Sequence, residues 1–272
     1  MSLISRRTTL GAALLAPLAA QAQDIGSASR PLRIGVTAGP HAQVMEKVRE
    51  IAARLDGPGA GLVLHIVEFT DYIQPNVALG SGDLDANSYQ HLPFLEQQVR
   101  DRRLDLVSAG KTLVFPMGVY SRRHRRVDDI AQGARIAIPN DPTNGGRALM
   151  LLASAGAFKL KPAADFRATV ADITENPRRL RVVELEAAQL PRALEEVDAA
   201  AINTNYAIPA GLNPVTDAIA RENADSSYAN IIAVRRSDQG ASWVRRLLAA
   251  YQTNEVKAFV ERTFQGAVAP AF

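Results

Sequence analysis

Short apolar runs alternate with helix-period segments along most of this chain, and that alternation constrains the fold more than any other feature of its 272 residues. Residues 32–37, LRIGVT, read as a buried strand. Val44, Met45, Val48, Ile51, Ala52 and Leu55 then keep one face of a helix apolar, and Gly57-Pro58-Gly59 ends it. A second strand over 62–69 leads through Asp71 and Pro75 into a short helix closing at 80–82, and extended structure resumes over 84–86. Repeated strand-helix-strand units predict an α/β fold with a mostly parallel sheet, helices on both faces, and ligands beyond the carboxyl ends of the strands.

Residues 112–120, TLVFPMGVY, form a long extended run interrupted by Pro116 and Gly118, read as a crossing between lobes. A second group of strands follows at 136–139, 181–185 and 199–203, and the run 230–234 carries the chain back. Helices over 242–251 and 254–264 then close the first lobe. Two crossings predict one lobe of 31–115 plus 231–272, a second of 116–230, and a cleft between them.

The first 22 residues, with Arg6 and Arg7, an apolar run over 10–20 and Ala20-Gln21-Ala22, describe a cleavable secretory signal. The run Ser5-Arg6-Arg7-Thr8-Thr9-Leu10 is similar to a twin-arginine export signal, with Thr9 where a bulky apolar residue is usual. No second apolar stretch approaches the ~20 residues that span a bilayer. There are no cysteines, which removes disulfides, thiolate catalysis and cysteine metal sites, and with them the thiol of a lipid-modified N-terminus. The expectation is therefore a periplasmic protein without a lipid anchor. Removing Arg6 and Arg7 lowers the formal charge from +3 to +1. The basic run Arg122 to Arg126 precedes Asp128 and Asp129 and reads as a solvated loop, not a nucleic-acid surface.

The stretch IAIPNDPTNGGRAL, residues 136–149, joins an apolar strand to a helix start through polar residues. Unpaired N–H groups there favour a carboxylate, and Arg147 could grip one through two parallel hydrogen bonds. The bland alternative is an ordinary helix with Thr143 or Asn144 as N-cap and Arg147 in solvent. Phe69, Tyr72, Tyr89 and His91 fall at or near the ends of first-lobe strands, where aromatic walls suit an apolar ligand body; each taken singly could equally be core packing. Asn203, Asn205 and Asn230 end or begin extended runs and offer both donors and acceptors, which suits a zwitterion; they could also be turn-making asparagines.

Other chemistries fail on spacing. Gly110-Lys111-Thr112 imitates a phosphate loop, but Asp105 replaces the required glycine and a strand follows. Histidines 41, 65, 91 and 124 show no metal-ligand spacing, and no Gly-x-Ser-x-Gly elbow occurs.

Seven separated segments carry a family resemblance: FTDY at 69–72, DANSYQH at 85–91, GKT with FPMG at 110–118, IAIPNDPTNGGRAL, VVELEAAQLPRAL at 182–194, AINTNYA at 201–207 and YANII at 228–232. Together they resemble the methionine-binding lipoproteins of bacterial ABC importers, over about residues 33–272. The resemblance implies a two-lobed periplasmic binding protein of type II-like architecture with its ligand in the interlobe cleft. It implies no enzyme and no cofactor, with partners consisting of methionine, a membrane permease and a cytoplasmic ATPase. By motif, Arg147 would hold the ligand carboxylate, Asn144, Asn203, Asn205 and Asn230 would surround the amino-acid head, and Phe69, Tyr72, Tyr89 and His91 would line the side-chain pocket. Gly145 departs from the motif, where an acidic residue is common. The enantiomer stays open, as do other amino acids or short peptides. A hydrolase or lyase using His91 as base with Asp85 behind it is the alternative from a different class.

Overall fold

The protein is described by a computed structural model covering residues 25–55, 61–223 and 228–272. The expected leader and the Gly57-Pro58-Gly59 break lie outside the described residues.

The first sheet is built from β1 (Leu32–Thr37), β2 (Leu64–Phe69), β3 (Ala86–His91) and β4 (Leu106–Lys111), connected by α1 (Pro40–Ala53), α2 (Gln74–Ser81) and α3 (Leu92–Arg102). Pro40 opens α1, and its face of Val44, Met45, Val48, Ile51 and Ala52 is buried as the spacing predicts. At the start of α2, Asp71 Oδ1 accepts from the backbone N–H of Ile73 and Gln74 at 2.6 and 2.8 Å. Gly82 ends that helix at φ 88°, a left-handed cap that a Cβ would strain.

A crossing follows through β5 (Leu113–Val114) into β6 (Gly118–Tyr120). The second sheet adds β7 (Arg135–Pro139), α4 (Pro142–Ser154), a side ribbon of β8 (Lys159–Leu160) with β9 (Ile173–Glu175), then β10 (Arg181–Leu185), α5 (Leu190–Ala193), β11 (Ala199–Ile202), α6 (Thr204–Ala207) and β12 (Ala220–Arg221). The chain returns on β13 (Asn230–Arg235) into α7 (Ser242–Tyr251) and α8 (Asn254–Phe264), and β14 (Ala269–Pro270) pairs with β5 at the crossing.

Strand order is β2-β1-β3-β13-β4 in the first sheet and β10-β7-β11-β6-β12 in the second. In each sheet four strands run the same way, as expected, and one runs against them. β1, β2 and β3 run parallel, as do β10, β7 and β11, but β13 is antiparallel to both its neighbours and β6 is antiparallel to β11. The exceptions include the strands that carry the chain across: a strand arriving from the other lobe enters its sheet at the cleft end and so runs against the βαβ strands.

Each sheet is apolar on both faces. In the first, α1, α7 and α8 cover one side through residues such as Met45, Leu247 and Val260, while Leu79 and Leu95 of α2 and α3 cover the other. In the second, Leu149 and Leu152 of α4 pack on one face and Leu190 and Leu194 on the other. The basic run is largely ion-paired at the surface, with Arg122 on Glu195, Arg123 on Asp198 and Arg126 on Asp128.

Candidate functional site

The carboxyl ends of β1, β3, β7 and β11 turn toward one another. Because β13 is antiparallel, its first residue, Asn230, pairs with His91 at the end of β3 and joins the same edge. The polar residues that terminate these strands therefore meet between the sheets, around a small cavity with about 320 Å³ of space including its mouth. Tyr72, Tyr89, His91, Asn144, Arg147, Asn203, Asn205 and Asn230 line it, as do Gln90, Phe94 and Phe115.

Phe69 does not line it. β2 is the edge strand of its sheet, one strand further from the cavity than β1, and Phe69 packs with Val67, Leu79 and Leu84 beneath α2. Three lining residues were not singled out from sequence. Gln90 lies inside the DANSYQH segment, Phe94 is the third residue of α3, and Phe115 lies in the crossing run.

Helix α4 begins differently from either sequence expectation. Asp141 is its N-cap and Pro142 its first residue, and Asp141 Oδ1 accepts from the Asn144 backbone N–H at 2.9 Å. The helix start thus already holds a carboxylate of its own, and a ligand anion has no claim on it. Burial raises the Asp141 pKa, and hydrogen bonds from Asn144 and Thr143 oppose that rise. Gly145 stands where a Cβ would lie 2.8 Å from the Pro139 carbonyl oxygen, so this strand-to-helix turn leaves no room for the acidic side chain common in the family motif.

Arg147 sits in the second turn of α4 and is buried, not in solvent. Its Nε donates to Glu222 Oε1 at 2.8 Å, and its Nη2 donates to Glu222 Oε2 at 2.6 Å and to the Phe115 carbonyl at 2.8 Å. The Tyr228 ring lies against the guanidinium, 4.3 Å from centroid to Cζ. Nη1 makes no hydrogen bond to a described residue, so it is the edge of the fork left for the cavity.

Asn144 organises the amides around it. Its Nδ2 donates to both Asp141 oxygens at 3.1 and 3.0 Å, and its Oδ1 accepts from Asn203 Nδ2 at 2.8 Å. His91 Nδ1 accepts the Phe94 backbone N–H at 3.2 Å, which puts the ring proton on Nε2, directed at Asn144 Oδ1 3.2 Å away. Burial lowers the His91 pKa to about 3, helped by the Arg147 charge. Asn203 Oδ1 is buried without a hydrogen-bond partner among the described residues. Such an orphan acceptor costs free energy unless something donates to it.

Contacts between the two sheets' loops close the cleft. The Tyr72 hydroxyl donates to Asn205 Oδ1 at 2.6 Å and the Tyr206 hydroxyl donates to the Thr70 carbonyl at 3.0 Å, while on the first sheet's side Tyr89 steadies Tyr72 by donating to its carbonyl at 2.8 Å. Burial raises the pKa of both Tyr72 and Tyr89 well above the ordinary phenol value, keeping these hydroxyls as donors.

The hydrolase alternative loses its orienting acid. Asp85 is six residues before His91 on an extended segment, roughly 20 Å along the strand, and is held by Arg30 and Arg33.

A model of the NlpA lipoprotein family matches residues 32–272. The D-methionine-binding lipoprotein MetQ of Salmonella typhi is 43% identical over 237 residues, covering 86% of each chain. Outer membrane lipoprotein 3 of Mannheimia haemolytica is 42% identical over 237 residues, covering 87% of this chain and 89% of the other. Among solved structures, a nutrient binding protein from Burkholderia cenocepacia bound to methionine is 50% identical with a TM-score of 0.85, covering 89% of this chain and all of that one.

These relatives correct one expectation. The absence of cysteine suggested a protein with no lipid anchor, whereas the matched family and its curated members carry the name lipoprotein. That inference rested on the absence of cysteine from all 272 residues, and the lipoprotein identity of the family and its members overturns it.

Proposed function

This chain belongs to the NlpA lipoprotein family, and on that premise we propose that it is the extracytoplasmic substrate-binding component of an ABC importer, capturing methionine and handing it to the permease. It is a transport protein, not an enzyme. The observation that carries the ligand is the 50% identical relative bound to methionine over 89% of this chain. The cavity chemistry supports it: an apolar wall of Tyr72, Tyr89, Phe94 and Phe115 faces a cationic edge and a set of amides.

In this reading Arg147 Nη1 takes the ligand carboxylate, and the oxygens of Asn203 and Asn230 take the ammonium. Asn144 holds the Asn203 amide in place and Asn205 adds a further polar contact beside the amino-acid head, while Tyr72, Tyr89 and His91 bound the thioether chain. Burying that chain contributes roughly 1.5 to 3 kcal/mol, while micromolar binding requires about 8, so the charged head supplies much of the remainder. We assign 31–115 with 231–272 to one lobe and 116–230 to the other, in keeping with the strand membership of the two sheets. Ligand touches both and favours the closed state, which the permease reads.

The test is mass spectrometry of small molecules released on denaturing the purified protein, then titration calorimetry with L- and D-methionine on stripped material. Released methionine and saturable rebinding support the assignment. No released amino acid and no heat from either enantiomer reject it.

A further inference from the structure

Asn230 lines the cavity, and its amide is fixed from behind. The Tyr89 carbonyl can only accept, so the Asn230 atom 3.1 Å from it is Nδ2. The second Nδ2 hydrogen points at His41 Nε2, 2.8 Å away. An amide nitrogen does not accept, so Nε2 of His41 is the bare ring nitrogen and the proton lies on Nδ1, 2.7 Å from Thr37 Oγ1. Every Asn230 donor is spent, and Oδ1 makes no hydrogen bond to a described residue.

His41 is itself outside the cavity lining, only 4% exposed, with its ring 4.2 Å from that of Phe115. Burial lowers its pKa to about 3, so Nε2 stays bare in ordinary buffers. Asn203, at the end of β11 in the second sheet, repeats the pattern: its Nδ2 is committed to Asn144 and its Oδ1 has no partner among the described residues. Two amide oxygens are thereby left to accept, and an ammonium, which only donates, matches both.

We infer that His41 is a positioning residue for the ligand's ammonium group, acting through Asn230: it holds the amide with Oδ1 inward and so makes the cavity select an α-amino acid over the des-amino acid of the same side chain. The inference rests on the functional reading above and deepens it. Without an acceptor at His41, one amide hydrogen is stranded in a buried place, and the amide is freed to turn its NH₂ toward the ligand cation.

The experiment compares methionine with 4-(methylthio)butanoate by titration calorimetry on the parent, His41→Phe and His41→Gln. Phenylalanine keeps a ring but has no acceptor; glutamine restores an acceptor at about the reach of Nε2. The expected result is a fall of about tenfold in the methionine to des-amino affinity ratio in H41F, the scale of one charge-assisted hydrogen bond, with most of it recovered in H41Q. Should H41F fail to fold, Thr37→Val, which removes the partner of Nδ1–H and leaves the ring, must shift the ratio in the same direction. A folded H41F with the parent's ratio overturns the inference and leaves His41 as packing. A parent that binds no methionine overturns the functional reading, and this inference with it.

Discussion

Arg147 meets Glu222 edge to edge, Nε and Nη2 donating into the two carboxylate oxygens at 2.8 and 2.6 Å. The pair joins α4 to the segment after β12, and Glu222 Oε2 also accepts the Met117 backbone N–H at 2.8 Å. A guanidinium can be locked on one edge and still present N–H groups on another; an ammonium cannot.

Arg147→Ala should lower methionine affinity by ~10- to 100-fold, the range of one charge-assisted hydrogen bond. Arg147→Lys, which keeps the charge, should recover little of it. Calorimetry on variants that melt like the parent checks this, and a lysine variant with parental affinity would show that charge alone suffices.

The 2.6 Å bond from the Tyr72 hydroxyl to Asn205 links the two halves of the cleft while its ring lines the cavity. Tyr72→Phe removes the latch and keeps the wall. It should weaken binding by about 0.5 to 1.5 kcal/mol, several-fold in Kd, and the loss should appear in the dissociation rate because only the closed state makes the bond. Stopped-flow dissociation that matches the parent would assign Tyr72 to packing alone.

The strands and helices were legible because their apolar periods are uninterrupted: the sequence bounds of the last two helices, 242–251 and 254–264, coincide with the observed ones. The polar strand ends were legible for a related reason, since Asn203 and Asn230 abut apolar runs with no structural need of an amide. What sequence did not reveal was long-range. Glu222 lies 75 residues from Arg147, and no local pattern announces that partner. The direction of β13 follows from the lobe crossings, which periodicity does not encode. Phe69 sits in a motif at a strand end, yet strand order puts it at an edge. The Asp141 cap was a missed local signal, since an acid before Pro142 is an ordinary helix start.

Stability should fall on mild acidification. His41 and His91, with ordinary values of 6.5, are both lowered to about 3 by burial, so between those values the unfolded chain binds two protons that the native protein does not. Stability is then fully present above pH 6.5 and is lost as pH falls toward 3, by ~1.4 kcal/mol per unit for each histidine. Asp141, raised by burial, works in the opposite sense. Urea unfolding at pH 7 and pH 5, repeated on Asp141→Asn to remove the opposing carboxyl, reads the histidines, because ordinary carboxylates titrate below that window. Equal stability at both values would mean that both rings take up protons in the folded protein much as they do in the unfolded chain.

Gly146 tests how tightly the helix carrying Arg147 is seated. An ideal Cβ there would lie 2.3 Å from the Phe166 carbonyl oxygen and 2.9 Å from the Ala168 nitrogen, both backbone atoms, so no side-chain rotation relieves the clash. Gly146→Ala must push α4 away from residues 166–168 and tilt the guanidinium off the cavity. The expected cost is about 1 to 3 kcal/mol, a fall in Tm of roughly 2 to 10 °C for a chain of this size, together with weaker methionine binding. Gly240→Ala is the control, because a Cβ at that position meets nothing within 4 Å. If the two variants melt together with the parent, the close approach of α4 to residues 166–168 is not what fixes Arg147, and its placement rests on Glu222 alone.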